Sequence, residues 1–120
     1  MADQEDARLG QQMPSVSNNS TAILPWLIEH YELSKQVADL LRQRNAIGLQ
    51  RYGTVLMSYN GRDALQDAIE EIADSIQYLA QVVIESYDRQ RKLAFMRIIA
   101  KQNETLSYLL QLQSNDRQAI

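Results

Sequence analysis

The chain has 120 residues, with 12 basic and 15 acidic side chains and no cysteine. The missing cysteine excludes disulfide frameworks, cysteine-ligated zinc, iron–sulfur clusters and thiol nucleophiles. Four glycines and two prolines are too few for the many turns of a β-sandwich or barrel, and the net charge of −3 argues against a dedicated nucleic-acid binder. Composition therefore predicts a soluble, helical protein.

No stretch of the sequence resembles a targeting or membrane element. The residues after Met1 carry acidic side chains instead of the basic and apolar regions of a secretory signal. Apolar runs are only a few residues long, far below the roughly 20 residues needed to cross a bilayer. We therefore expect a cytoplasmic protein that has no membrane partner.

The chain begins with a polar stretch, residues 1–20. We predict a flexible tail there, because it holds too few apolar side chains to offset its ordering entropy. A single domain is expected over residues 21–113. Its first helix is predicted to run from about Pro25 to Gln50, with an apolar stripe at three- and four-residue steps. Gly48, late in this helix, either weakens its last turn or permits close packing.

Two glycine turns, at Gly53 and Gly61, mark an apolar loop after the first helix. The second helix is predicted to start after Gly61. Residues 62–113 contain no glycine or proline, so either one very long helix forms or the chain breaks near residues 87–92, where the apolar pattern lapses. Globular helices average about 11–12 residues, which favours the break. Residues 114–120 are predicted to form a frayed end.

The three predicted helices have wide apolar faces. Such helices form small bundles, so the sequence predicts an all-α fold of three main helices. The amount of apolar surface also indicates association with further copies of the chain. We expect a homo-oligomer, a dimer or a tetramer, that completes a four-helix-bundle-like core.

Four acidic side chains crowd into one stretch of the second helix: Asp67, Glu70, Glu71 and Asp74. Spacings of three and four residues place side chains on one helical face. Like charges at these spacings repel, and a hard divalent cation such as Mg²⁺ relieves the repulsion because it prefers carboxylate oxygens. The row therefore indicates either a metal site or an ordinary solvated acidic face.

Three stretches of the sequence carry a resemblance to a known family. They are Arg51-Tyr52-Gly53-Thr54, Asn60-Gly61-Arg62-Asp63 and Glu70-Glu71-Ile72-Ala73-Asp74 with the Ser-Ile-Gln-Tyr-Leu that follows it. Together they resemble MazG-like proteins of the all-α nucleoside triphosphate pyrophosphohydrolase superfamily, in the small form often found in phages and mobile elements. The resemblance covers about residues 25–85. In that superfamily a Glu-x-x-Asp helix faces a Glu-Glu-x-x-Glu helix, and together they hold Mg²⁺ on a triphosphate.

The resemblance implies a metal-binding role for the acidic side chains. Glu71 and Asp74 match the Glu-x-x-Asp pair, and Glu70 precedes it as in the family. The implied ion is Mg²⁺, with Mn²⁺ as an alternative. The implied reaction converts a (d)NTP into the nucleoside monophosphate and pyrophosphate, with Glu71 orienting or deprotonating the attacking water.

The same resemblance suggests residues that contact the substrate. Arg51, Arg62 and Lys35 are candidates for binding the phosphates, since a guanidinium suits forked contacts. Tyr52 or Tyr59 is a candidate for stacking on the base. The alternative is that Arg62 pairs with neighbouring carboxylates and that the tyrosines only pack.

The first acidic motif of the family is missing, because no Glu-Glu-x-x-Glu occurs before Glu71. The nearest approximation contains Glu29 and Glu32. An antiparallel hairpin turning near Leu56 would instead bring Asp39 opposite Glu71, which makes Asp39 the candidate ligand. The missing motif leaves two possibilities: an enzyme whose site is completed by other residues or a neighbouring subunit, or a non-catalytic nucleotide-binding or oligomeric adaptor protein.

Overall fold

The computed structural model describes residues 11–119, and these form an all-α fold, as predicted. The four helices are α1 (Ile23–His30), α2 (Lys35–Tyr52), α3 (Ala64–Glu85) and α4 (Arg89–Gln118). None of the helices in this part of the chain combines the length and apolar character needed to span a bilayer. The chain divides into two compact units that meet between Arg62 and Asp63 in the sequence, and each is described by itself.

The first unit contains two helices where the sequence predicted one, and that prediction is wrong at residues 31–34. Tyr31 is extended, with φ −135° and ψ 146°, and ends α1. Ser34 then caps α2, since its Oγ accepts a hydrogen bond from the Val37 backbone N–H at 3.2 Å. A serine cap satisfies a backbone donor that would otherwise lack a partner, so the new helix starts here. The apolar stripe continues across the break, which is why periodicity did not reveal it.

Two glycines in α2 and at its end have opposite conformational roles. Gly53 ends the helix in the left-handed region, with φ 77°, and its N–H donates to the Leu49 carbonyl oxygen at 2.9 Å. Gly48 lies inside the helix. Apart from the adjacent backbone of that helix, no atom of residues 11–119 comes within 4 Å of the place where its Cβ would be. Close packing therefore does not explain Gly48, and that sequence-based interpretation is wrong.

The polar N-terminal stretch lies along the loop that follows α2. Ser15 N–H donates to the Asn60 carbonyl oxygen at 2.9 Å, and Thr21 exchanges hydrogen bonds with Ser58 at 2.8 Å. An isolated antiparallel bridge joins Ala22 to Met57. The sequence predicted a flexible tail to residue 20; residues 1–10 of it lie outside the described residues, whereas residues 12–21, here called the N-terminal strap, are hydrogen-bonded to this loop.

The second unit is a hairpin of α3 and α4. The predicted break near residues 87–92 is confirmed, because α3 ends at Glu85 and α4 begins at Arg89. Asp88 starts α4 by accepting a hydrogen bond from the Gln90 backbone N–H at 3.1 Å. The helix then continues to Gln118, through most of the stretch that the sequence predicted to be frayed.

Three side-chain hydrogen bonds join the two arms of this hairpin at its open end, its middle and its turn. These polar rungs are Gln113 to Gln66 (2.7 Å), Gln102 to Ser75 (3.2 Å) and Arg91 to Ser86 (3.2 Å). The sequence numbers fall on one arm as they rise on the other, so the arms run antiparallel. Because each rung pairs specific side chains, the rungs define the register of α3 against α4.

The two glycines give a matched test of the α2 description. Gly48→Ala should raise the free energy of unfolding by about 1 kcal/mol, because alanine is the better helix former and the space is open. Gly53→Ala should lower it by about 1–2 kcal/mol, because an L side chain is strained at φ 77°. Urea unfolding measures both changes. Equal effects of the two substitutions would contradict the placement of these glycines.

Candidate functional site

The acidic row, Asp67, Glu70, Glu71 and Asp74, lies along α3. The helix starts at Asp63, whose side chain accepts a hydrogen bond from the Gln66 backbone N–H at 3.0 Å. At a rise of 1.5 Å per residue the row is about 10 Å long. Glu71 is exposed and the other three members are half-buried. The row is therefore a line of carboxylates on one helix, as the sequence predicted.

Glu70 is held by a hydrogen-bond chain that begins on α4. Gln113, which is buried with 9% of its surface exposed, donates through Nε2 to Gln66 Oε1 at 2.7 Å. Gln66 Nε2 in turn donates to Glu70 Oε2 at 2.7 Å. Sequence reasoning missed both glutamines. The sequence signal for Gln113 was its position four residues after Leu109, within the apolar stripe of α4. An amide at such a buried position needs a hydrogen-bond partner.

The acidic row does not form a closed metal cage within the described residues. Across residues 11–119, no group of three or more histidine or acidic side chains lies close enough to hold one ion together. A row along a helix spreads its carboxylates over successive turns and does not point them at one spot.

Asp39, the candidate ligand from the first unit, has local partners on α2. Its Oδ2 accepts from Lys35 Nζ at 2.7 Å, and its Oδ1 accepts from Arg42 at 3.2 Å. Lys35, a candidate phosphate ligand, is thus paired with a candidate metal ligand. Both pairs have i,i+3 or i,i+4 spacing, which forms readily on a helix surface. Sequence reasoning did not consider these pairings.

Glu29 and Glu32, the nearest approximation to the missing motif, do not share a helix. Glu29 lies in α1, whereas Glu32 follows the end of that helix at His30. Both side chains are exposed. Two glutamates act as one motif only when a regular helix keeps them on the same face. The break in the first helix removes that geometry.

Arg51 and Tyr52 lie together in the last turn of α2. The guanidinium carbon of Arg51 is 6.0 Å from the centre of the Tyr52 ring. Both residues line a cavity of about 310 Å³ within the first unit, here called the apolar groove. Its walls are mostly aliphatic, from α1, α2 and the loop after α2: Ile23, Leu24, Leu27, Leu41, Ile47, Val55 and Leu56. The structure thus brings two of the five substrate candidates, Arg51 and Tyr52, to one concave site.

Three further residues of α2 line the groove, and sequence reasoning had assigned none of them to a site. Arg44 and Asn45 supply polar groups about two turns before Arg51, and Gly48 leaves a gap between these two residues and Arg51. Residues four apart lie on one helical face, so Arg44, Gly48 and Arg51 follow a single line. A glycine flanked by polar residues at this spacing was the signal for an opening in the helix surface.

Tyr59, another substrate candidate, keeps 72% of its surface exposed. Arg62, also a substrate candidate, contacts the N-terminal strap. One of its guanidinium nitrogens donates to the Gln12 carbonyl oxygen at 2.9 Å. Its backbone N–H donates to Asn60 Oδ1 at 3.0 Å, within the turn where Gly61 has φ 85°. Arg62 therefore anchors the strap in the first unit.

Comparisons of this chain with protein-family models, curated proteins and solved structures find no match.

The hydrogen-bond chain to Glu70 can be tested by stability. Gln113→Met keeps the length of the side chain and removes its amide, which leaves the Gln66 oxygen without its donor. Unfolding free energy should fall by about 1–3 kcal/mol. Gln111→Met, an exposed position on the same helix, is the matched control and should change it by less than about 0.5 kcal/mol. Urea unfolding measures both changes. If Gln113→Met and Gln111→Met lower the unfolding free energy equally, this hydrogen-bond chain does not stabilise the hairpin.

Proposed function

We propose that the protein is a Mg²⁺-dependent pyrophosphohydrolase that converts a (d)NTP into the nucleoside monophosphate and pyrophosphate. The observation that carries the proposal is the acidic row of α3, whose Glu70 is oriented by Gln66 and Gln113. The resemblance of residues 70–79 and of the two preceding turns to MazG-like proteins supports it. The proposal places the protein in the cytoplasm.

The donor atoms of the acidic row fit a magnesium ion that is shared with a triphosphate. Mg²⁺ prefers oxygen ligands and is commonly bound by one or two carboxylates together with phosphates and waters. Glu71 and Asp74, one turn apart on α3, are the pair we assign to it. A bound ion would offset the charge of the phosphate oxygens. A cage of three carboxylates from one chain is therefore not required.

Residues of the chain itself would supply the other catalytic roles, those of the general base and of fixed negative charge. Glu71, the exposed member of the row, takes a proton from the attacking water as general base. Glu70 accepts the amide hydrogen of Gln66, so its carboxylate is fixed and contributes charge without moving. Attack of water on the triphosphate then breaks one phosphoanhydride bond and releases pyrophosphate.

Association with further copies of the chain is part of the proposal. Among residues 11–119 only Ala38 and Ile69 are buried apolar side chains. Along one side of α4, Met96 and Leu110 keep 52% and 48% of their surface exposed. If a partner covers these side chains, the assembly is stabilised by about 25 cal/mol for each Å² of apolar surface that is removed from water. A dimer of such hairpins is a four-helix-type assembly and a tetramer contains two of them, and a second subunit could supply further acidic ligands.

A non-catalytic oligomeric adaptor is the second candidate. The observation that favours it is the pairing of Asp39 with Lys35 and Arg42, which occupies both oxygens of the only facing carboxylate that the sequence suggested. On this alternative the acidic row is a polar helix face and the exposed apolar side chains of α4 are the functional surface.

Pyrophosphate release distinguishes the two candidates. Wild-type protein with Mg²⁺ and a panel of (d)NTPs should release pyrophosphate, and Glu71→Gln should lower kcat/KM by about 10²–10⁴-fold because the general base is lost. Glu104→Gln makes the same chemical change at an exposed site on α4 and should leave activity unchanged. Absence of activity on every nucleotide, or activity indifferent to Glu71, would favour the adaptor.

Association can be tested separately by sedimentation velocity. The wild type should sediment as a dimer or tetramer at micromolar concentration. Met96→Asp with Leu110→Asp should shift it towards the monomer, because two charges would be buried without partners. The control, Gln90→Asp with Gln111→Asp, adds the same charge at exposed polar positions of α4. It should leave the sedimentation unchanged. A monomeric wild type, or equal effects of the two pairs, would contradict the assembly.

A further inference from the structure

We propose that the apolar groove of the first unit binds a small amphiphile, namely a short aliphatic chain that ends in one carboxylate. The groove has a volume of about 310 Å³, at the small end of the roughly 300–1,000 Å³ typical of ligand pockets. This ligand is not the substrate of the proposed reaction, and the residues that would hold it all lie in the first unit. Binding at the groove therefore does not depend on the acidic row.

The walls of the groove leave aliphatic side chains in contact with water. Leu56 and Ile47, which both line it, keep 55% and 39% of their surface exposed. Backbone pairing holds the start of α1 against the loop after α2: the Ile23 N–H donates to the Leu56 carbonyl oxygen at 3.0 Å, and Ala22 bridges Met57. Because these walls are already fixed, an aliphatic chain would cover them at little cost in ordering.

Gly48 widens the groove within its α2 wall. Glycine inside a helix is destabilising relative to alanine. The Gly48 backbone is helical, and apart from the adjacent backbone of its own helix no atom of residues 11–119 lies within 4 Å of the position that its Cβ would take. Neither a left-handed conformation nor close packing requires glycine here. The space that the missing side chain leaves is open to a ligand.

The volume of the groove limits the size of its occupant. At about 30 Å³ for each water-sized group, it holds on the order of ten non-hydrogen atoms. A helix with its side chains is about 10–12 Å across, so the groove is too small to enclose a helix of a second copy. A single aliphatic chain of up to about ten carbon atoms matches the space.

Two polar side chains of the groove have no partner within residues 11–119. Arg44 makes no ion pair there, in contrast to Arg42, which pairs with Asp39. Asn45 is half-buried, and its side-chain amide makes no hydrogen bond in the same part of the chain. Arg51 also lines the groove, but its side chain already has a partner, so we assign it no contact with the ligand. One guanidinium and one amide are therefore available to a polar head group.

The charge of these groups selects the head group. No acidic side chain is among the described residues that line the groove. The single guanidinium of Arg44 balances one negative charge, and a carboxylate accepts hydrogen bonds both from a guanidinium and from the amide N–H of Asn45. A cationic head would be repelled by Arg44, and an uncharged head would leave its charge unmatched. A monocarboxylate therefore fits the polar part of the groove.

A chain-length series tests the apolar part of the site. Isothermal titration calorimetry would use straight-chain carboxylates from butanoate to tetradecanoate, each below its micelle-forming concentration. Wild-type protein should bind one carboxylate per chain, with affinity rising by up to about fourfold for each added methylene and levelling off near about ten carbon atoms, when the groove is full. No saturable binding, or affinity independent of chain length, would overturn the proposal.

Head-group variants test the role of Arg44. Wild type should bind octanoate about fivefold more tightly than 1-octanol, as expected for an exposed ion pair, and octyltrimethylammonium more weakly than either. Arg44→Gln should lower octanoate affinity to that of octanol and leave octanol binding unchanged. Arg42→Gln removes a guanidinium of the same helix that does not line the groove, and should change neither. Equal effects of the two substitutions, or equal wild-type affinities for octanoate and octanol, would contradict the assigned head group.

Filling the groove tests its location. Gly48→Leu places a side chain in the groove and should weaken both octanoate and octanol by at least about tenfold, whereas Gly48→Ala should change them by less than about twofold. Urea unfolding checks the fold of Gly48→Leu, which should be at least as stable as wild type because leucine favours helix. Unchanged octanoate affinity of Gly48→Leu would overturn the proposal, and an accompanying change in sedimentation would show that the groove seats a second copy instead.

This proposal and the proposed function can fail independently. If wild type releases pyrophosphate but binds no carboxylate, the enzyme stands and the ligand of the groove is wrong. If octanoate binds and Gly48→Leu abolishes this binding, yet no nucleotide is hydrolysed, the groove is a ligand site of a protein that is not a pyrophosphohydrolase.

Discussion

An amide buried in an apolar helix seam must find a hydrogen-bond partner, and this requirement governs how α3 and α4 meet. The Gln113 amide donates a hydrogen bond to the Gln66 side-chain oxygen, and the Gln66 amide donates in turn to the Glu70 carboxylate. A slip of one helical turn, about 5.4 Å, would leave the buried amide without its partner. The rung between Gln113 and Gln66 therefore also orients the side chain that donates to Glu70.

The two units differ in the chemistry of their surfaces. The hairpin carries a row of acidic side chains, on a helix whose start is capped by Asp63. The first unit carries an apolar groove that Arg44 and Arg51 also line. Its N-terminal strap is fastened to the loop after α2, so the wall of the groove is built from segments distant in sequence.

Sequence reasoning succeeded where one strong local signal decided the structure. The glycine turn at Gly61 predicted the start of α3, and the lapse of the apolar pattern near residues 87–92 predicted the break before α4. It failed where two local solutions compete: Ser34 caps a new helix inside a continuous stripe. Sequence reasoning also did not consider the pairing of Asp39 with neighbours on its own helix, and Gly48 borders an opening where close packing was one of two interpretations. These three features depend on which side chains become neighbours in the folded chain. The spacing of residues in the sequence does not by itself determine those neighbours.

The register of α3 against α4 is the central claim, and cross-linking tests it directly, because the natural chain has no cysteine. The pair Ser75→Cys with Gln102→Cys replaces the middle rung and leaves the other two to hold the register. Under dilute conditions a short bifunctional thiol reagent should link this pair within one molecule, as read by mass spectrometry. Ser75→Cys with Leu109→Cys uses the same side of α4 about 10 Å further along and should link much more slowly. Equal or faster linking of the second pair would contradict the described hairpin.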